Sequence, residues 1–266
     1  MSCLAEQAKI LFAEAEENNL DDNVIHERFK RWRACSLCKQ DYHGVVACAL
    51  GWACWKTYLR RPEADEVRVL AMGQLGNGLE YAGRHKDALT VKGAELSTMR
   101  RVGASEHNLL ITQGNLASTF NRLGRREEGL SLLQDVYSGW LKLEGEENEH
   151  TVVAALNYGD SLIALKRLQE AESLLRKTIP VARRVLGSSD ITTLRMRHNY
   201  AEALYKGGGA TLDELREVVT TVEDTERIAR RVFGGAHPFT EGIEGDLRIS
   251  RKVLRAREDG KKVKFV

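Results

Sequence analysis

The sequence predicts an all-α fold, a solenoid of antiparallel helix pairs, on three observations. Gly103, Gly145 and Gly187 are spaced 42 residues apart, and Gly234 follows after 47; Asn115, Asn157 and Asn199 share the 42-residue spacing. A fixed period of this length marks stacked supersecondary units. Within each period a small residue (Gly76, Ala117, Gly159, Ala201) is followed three positions later by a large apolar one (Leu79, Phe120, Leu162, Leu204). That spacing puts both on one helical face, where a close crossing and a core contact can lie side by side. Only three prolines occur in 266 residues, so long helices are permitted.

Residues 1–34 read as N-terminal helices. Leu4, Ala8, Leu11 and Ala15 share one face of the first. The start has acids among its apolar residues rather than a basic start and an apolar core, so it does not read as a secretion signal. Residues 35–66 form a cysteine-rich segment and a helix over Gly44–Leu59 that docks on the solenoid. Cys35-x-x-Cys38 with His43 and Cys48 is a candidate zinc set, because Cys and His at short spacing are the usual ligands of that ion. Cys54 lies six residues beyond Cys48, which on a helix turns it about 240° away. The alternative is that these thiols are small apolar groups of the docking surface.

About four repeats occupy residues 67–249. Each first helix ends at a turn residue, Gly83, Gly124, Lys166 or Gly208, and Ala88, Gly129 and Ala171 open the second helices. ARRVLG and ARRVFG close equivalent second helices: a cationic last turn, an apolar pair and a glycine stop. The spacing of 47 places a five-residue insertion in the loop Lys206–Ala210, with Thr211 and Glu214 as a capping box behind it. Residues 250–266 read as a basic cap, with Arg251, Lys252, Arg255 and Arg257 on a helix face and Lys261, Lys262 and Lys264 in a tail.

The pattern of small residue, large residue, turn glycine and small residue resembles the tetratricopeptide repeat. The 42-residue period and Gly234-Gly-Ala-His-Pro-Phe-Thr240 are similar to the kinesin light chain version of that repeat. The resemblance covers roughly Ala71 to Leu247. It implies a right-handed superhelix whose concave face binds a peptide or protein segment. Asn115, Asn157 and Asn199 are the positions it assigns to holding a peptide backbone. The alternative role of these asparagines is to bond the neighbouring repeat and lock the stack. Kinesin light chains carry a long coiled coil before their repeats, whereas the helix here is far short of three or four heptads.

One position after each small residue lie Asn77, Ser118, Asp160 and Glu202, and one turn further on lie Tyr81, Arg122, Ala164 and Lys206. Asp160 and Glu202 predict an acidic C-terminal half of the groove. No nucleotide-binding glycine loop, zinc-protease motif or nucleophile elbow occurs, and no catalytic residue is assigned. A net charge of +2 gives no reason to expect nucleic acid, and no apolar run reaches the length of a membrane span. Five cysteines, four of them between Cys35 and Cys54, do not form a secreted disulfide framework, so a cytoplasmic setting is expected. The expected function is a non-enzymatic interaction scaffold without a required cofactor. The alternatives are a zinc-bearing adaptor or a kinesin light chain-like cargo adaptor.

Overall fold

The computed structural model describes residues 3–260; Lys261, Lys262 and Lys264 of the expected tail lie outside them. Twelve α-helices and no strand beyond a single Ala34–Asp41 bridge occur among the described residues. Helices α1 (Cys3–Glu17), α2 (Asp22–Phe29) and α3 (Gly44–Tyr58) precede the repeats. The repeats are α4 (Glu66–Tyr81) with α5 (His85–Arg101), α6 (Glu106–Arg122) with α7 (Arg126–Glu144), α8 (Glu149–Ala164) with α9 (Leu168–Val185), and α10 (Ile191–Gly207) with α11 (Leu212–Phe233). Helix α12 (Pro238–Glu258) follows without interruption at the expected 249/250 boundary. The chain forms two compact units, residues 1–129 and 130–266.

In the first unit, α4 packs on α5 and α5 on α6, while α3 lies along α4. The α3–α4 contact is close enough to bring backbone against backbone. A Cβ on Gly78 would lie 2.5 Å from the Ala47 carbonyl oxygen, and one on Gly51 would lie 2.9 Å from the Gln74 carbonyl oxygen. The buried face of α1 differs from the expected one. Ala5, Ala8, Phe12 and Ala15 are buried, whereas Leu4 is 38% exposed and Leu11 only half-buried. Both stripes fit the helical period; the one carrying Phe12 wins because its ring packs edge-on against Phe29 and Tyr58, at 5.4 and 5.6 Å between centroids.

The turns follow the sequence reading. Gly83, Gly124, Lys166 and Gly208 all have left-handed backbones, with φ of 74°, 75°, 60° and 70°. Lys166 therefore takes this conformation without the freedom of a glycine. A column not anticipated stands just before the second helices. Arg84, Arg125 and Arg167 each bond the acid three residues on, Asp87, Glu128 and Glu170. In the last repeat Thr211 takes this place and forms the expected capping box with Glu214. The small-then-large columns are buried apart from Phe120, which is half-buried under the Arg125 guanidinium.

In the second unit α8 packs on α9, α9 on α10, α10 on α11, and α11 on α12. Its core joins Leu175, Met196, Ala201, Leu204, Val218, Val222 and Ile243. The five extra residues are not all in a loop. From turn residue to second-helix start is two residues at Lys166–Leu168 and four at Gly208–Leu212, so the loop takes two. The other three lengthen α11, nearly one turn, before Gly234. The glycine-rich loop is held in place, because Arg257 of α12 donates to the carbonyls of Gly208 at 2.9 Å and Ala210 at 3.2 Å. One arginine at each of three second-helix ends has an acidic partner: Arg101 pairs with Glu63, Arg184 with Glu147 at 2.8 Å, and Arg230 with Glu226 at 2.7 Å.

Candidate functional site

A lysine stands where the next two repeats have leucine. Lys92 lies four residues after Ala88 on α5; the equivalent positions are Leu133 and Leu175, both buried. The Lys92 side chain is only 2% exposed. Gly76 on α4 makes room for it, since a Cβ there would lie 2.9 Å from Lys92 Cγ. A buried ammonium needs partners, and Lys92 has them. Nζ pairs with the Glu80 carboxylate on α4 and donates to Thr119 Oγ1 at 3.2 Å and the Asn115 carbonyl at 3.4 Å on α6. Arg122 Nε lies 2.8 Å from the second Glu80 oxygen. Three helices are thereby tied through one charge network.

Two hollows open over this network in the first unit. One, of about 460 Å³, lies among α2, α4, α5 and α6. The other, of about 340 Å³, is lined by Asn77, Glu80, Tyr81, Lys92, Asn115, Ser118 and Arg122. Asn77, Lys92 and Asn115 border both. Asn77 is half-buried and Asn115, Ser118 and Arg122 are exposed. The four expected groove residues of this unit thus lie around one place. Gln74, which takes the asparagine register in α4, instead donates to the Trp32 carbonyl at 3.1 Å and anchors the N-terminal segment.

Glu95 lines the larger hollow. Loss of water around its carboxyl raises its pKa to about 7, against a weaker opposing pull from the Lys92 charge. The folded protein therefore holds a proton here more tightly than the unfolded chain. Its stability falls as pH rises from the unfolded value of 4.5 through 7, and levels off above. Glu95→Gln is expected to remove this loss, raising stability at pH 8 by up to about 3 kcal/mol and changing little at pH 4.5. Urea unfolding at both pH values measures it; equal effects at the two would show that Glu95 does not titrate this way.

The second unit departs from the expected groove. Asn157 is exposed, but Asn199 is buried and donates to the Asp160 carboxylate. It locks α10 to α8 through a side chain, rather than through the backbone. Arg195 holds the other Asp160 oxygen at 2.6 Å, and Lys206 pairs with Glu202. Burial raises the Asp160 pKa in spite of Arg195. The expected acidic half is therefore charge-balanced: each acid already has a cation, Asp160 from α10 and Glu202 from its own helix.

The four candidate zinc ligands are not gathered. No three of Cys35, Cys38, His43 and Cys48 bring ligand atoms within 4.8 Å of one another. Cys35 and Cys38 share a turn closed by Cys35 N–H to the Gln40 carbonyl, at 2.9 Å, and by Lys39 N–H to the Cys35 carbonyl, at 3.1 Å. The N–H groups of Cys38 and Leu37 lower the Cys35 thiol pKa. His43 packs its ring edge-on against Tyr81, with 5.2 Å between centroids. Cys48 packs against Leu75, Leu79 and Ala88.

Comparison with known proteins bears on the repeats. Residues 108–179 match the tetratricopeptide repeat. The matched stretch runs from within α6 to within α9 and covers most of two of the helix pairs described above. Among solved structures, the nearly identical TPR-like repeats of a candidate kinesin light chain from Podosopora anserina superpose with a TM-score of 0.57 at 16% identity, covering 88% of this chain and 99% of that one. BtubC (BKLC) from P. vanneervenii gives 0.61 at 14% identity, covering 83% and 94%. A Rap protein complexed with competence and sporulation factor gives 0.55 at 14%, covering 96% of this chain and 66% of the Rap chain. In fold the chain is a tetratricopeptide, kinesin light chain-like assembly of helix pairs. Comparison with curated proteins yields no match. No helix among the described residues is long and apolar enough to cross a membrane.

Proposed function

We propose that this protein is a non-enzymatic interaction scaffold that binds an extended segment of a protein partner over α4, α5 and α6. The observation that carries this is the pair of adjoining hollows with Asn77 and Asn115 on their shared border. Neither amide has a hydrogen-bond partner among the described residues, and each offers both a donor and an acceptor. An extended backbone needs that combination at intervals. Beneath them the Glu80–Lys92–Thr119 network holds the three helices rigidly, so the amides keep their positions before a partner arrives. The tetratricopeptide match and the Rap protein, complexed with its factor, agree with a binding role for the fold. A cargo-adaptor role of the kinesin light chain kind would be one instance of this reading.

Affinity capture from the source lysate tests it. Asn77→Ala with Asn115→Ala is expected to leave the melting curve unchanged and reduce partner capture at least tenfold. Asn199→Ala serves as the contrast: it breaks a buried contact to Asp160 and is expected to lower stability by about 1 kcal/mol or more without touching this surface. Full capture by the double variant would refute the site.

A further inference from the structure

Glu95 takes no part in the network beneath it. Its carboxyl lines the larger hollow and makes no hydrogen bond or ion pair among the described residues. It leans over α4 at Gly73, where a Cβ would lie 2.6 Å from Glu95 Oε1. The nearest cation on its own helix, Lys92, is already committed to Glu80, Thr119 and the Asn115 carbonyl. A carboxylate held away from water without a partner is unfavourable, and an incoming cation would relieve it.

We propose that this hollow is the anchor pocket for one basic side chain, lysine or arginine, of the bound segment, with Glu95 as its counter-charge. The inference rests on the scaffold reading above and names the chemistry of its partner. The volume of about 460 Å³ lies in the range of ligand pockets. Val69, Leu70, Met99 and Ile111 supply apolar wall. An aliphatic stem ending in a positive charge suits an apolar wall that carries a carboxylate.

Glu66 is the one other acid that lines the hollow, and His26, Lys30, Arg33 and Lys92 are its basic groups. His26, Lys30 and Arg33 come from α2 and the turn after it, Glu66 from α4, and Lys92 from α5; α6 contributes no charged residue. Lys30 is paired with Glu27, and Arg33 lies 4.0 Å from Asp41. Glu66 opens α4 on the rim. Only the ionised form of Glu95 pairs with the anchor, and its pKa near 7 makes the affinity about tenfold higher at pH 8 than at pH 6.

Display of random octapeptides on the full chain at pH 7.5 tests the proposal. One position of the selected peptides is expected to be fixed as lysine or arginine. In fluorescence anisotropy, replacing that residue by norleucine should weaken binding at least tenfold. Glu95→Gln should bind the lysine and norleucine peptides alike and lose the pH dependence, whereas His26→Gln should keep it. Equal binding of the two peptides by the parent overturns the anchor, as does an unchanged preference in Glu95→Gln. The scaffold site is scored separately with Asn77→Ala/Asn115→Ala, which should lose both peptides. If that variant binds like the parent while Glu95→Gln loses the preference, the site is wrong and the anchor stands. Selection of no peptide by the parent overturns both.

Discussion

Lys92→Ala is expected to destabilise the protein by about 3–5 kcal/mol, the usual cost of removing one partner of a buried ion pair. Glu80 keeps Arg122, so the lower end of the range is the better guide. The loss has two sources: a buried carboxylate short of a partner, and the void left by a long side chain under Gly76. The decisive comparison is Lys92→Leu with Glu80→Ile. Those are the residues that α8 and α9 carry at the same register positions, Leu175 and Ile163. Leu175 fits against Gly159, where a Cβ would meet its Cδ2 at 3.2 Å, so leucine has a precedent at this crossing. Replacing both charges by packed apolar groups is expected to be neutral or to stabilise by about 1–4 kcal/mol. Urea-unfolding midpoints of the single and double variants read this directly. A double variant as unstable as Lys92→Ala would mean that the buried pair is not what the site depends on.

Gly78→Ala is expected to destabilise by about 2–4 kcal/mol, against the helix propensity that favours alanine by about 1 kcal/mol. The added Cβ would sit 2.5 Å from the Ala47 oxygen and 3.1 Å from its carbon, both backbone atoms that no rotamer change can move. Helix α3 would have to retreat along its contact with α4. Gly93→Ala and Gly114→Ala provide the control, since nothing lies within 4 Å of a Cβ at either place. Each is expected to stabilise by roughly 0.5–1 kcal/mol. The same chemical change should therefore have opposite signs at Gly78 and at Gly93, and thermal melts will show it. Stabilisation at Gly78 would mean that α3 and α4 are not packed this closely.

Lys92 and Glu95 show where sequence reasoning stopped. Column alignment carried a usable signal for Lys92, because a lysine in a column of Leu133 and Leu175 breaks the pattern. Its partner was less visible. Glu80 comes from another helix, and the corresponding residues, Asn121, Ile163 and Tyr205, show no common chemistry. Glu95 gave no signal at all: it is one acid among many on a polar helix face, and its character comes from the surrounding α2, α4 and α6. The cysteine segment misled for the opposite reason. Cys35, Cys38, His43 and Cys48 are close in sequence, but α3 begins at Gly44 and turns Cys48 toward α4 and α5.

The sequence by itself determined the helix pairs, their turns and their ends. These depend on local backbone preference and on the period of one helix, and four imperfect copies made the pattern readable. It also placed Asn77, Asn115, Ser118 and Arg122 on neighbouring faces. The tertiary structure alone decided which of the repeated positions remain available to a partner. Asn115 and Asn199 share one register position, yet the first is exposed beside a hollow and the second is buried against Asp160. Register specifies the direction in which a side chain leaves its helix. Whether it meets water, a carboxylate or a cavity depends on the next helix, and the repeats are not identical there.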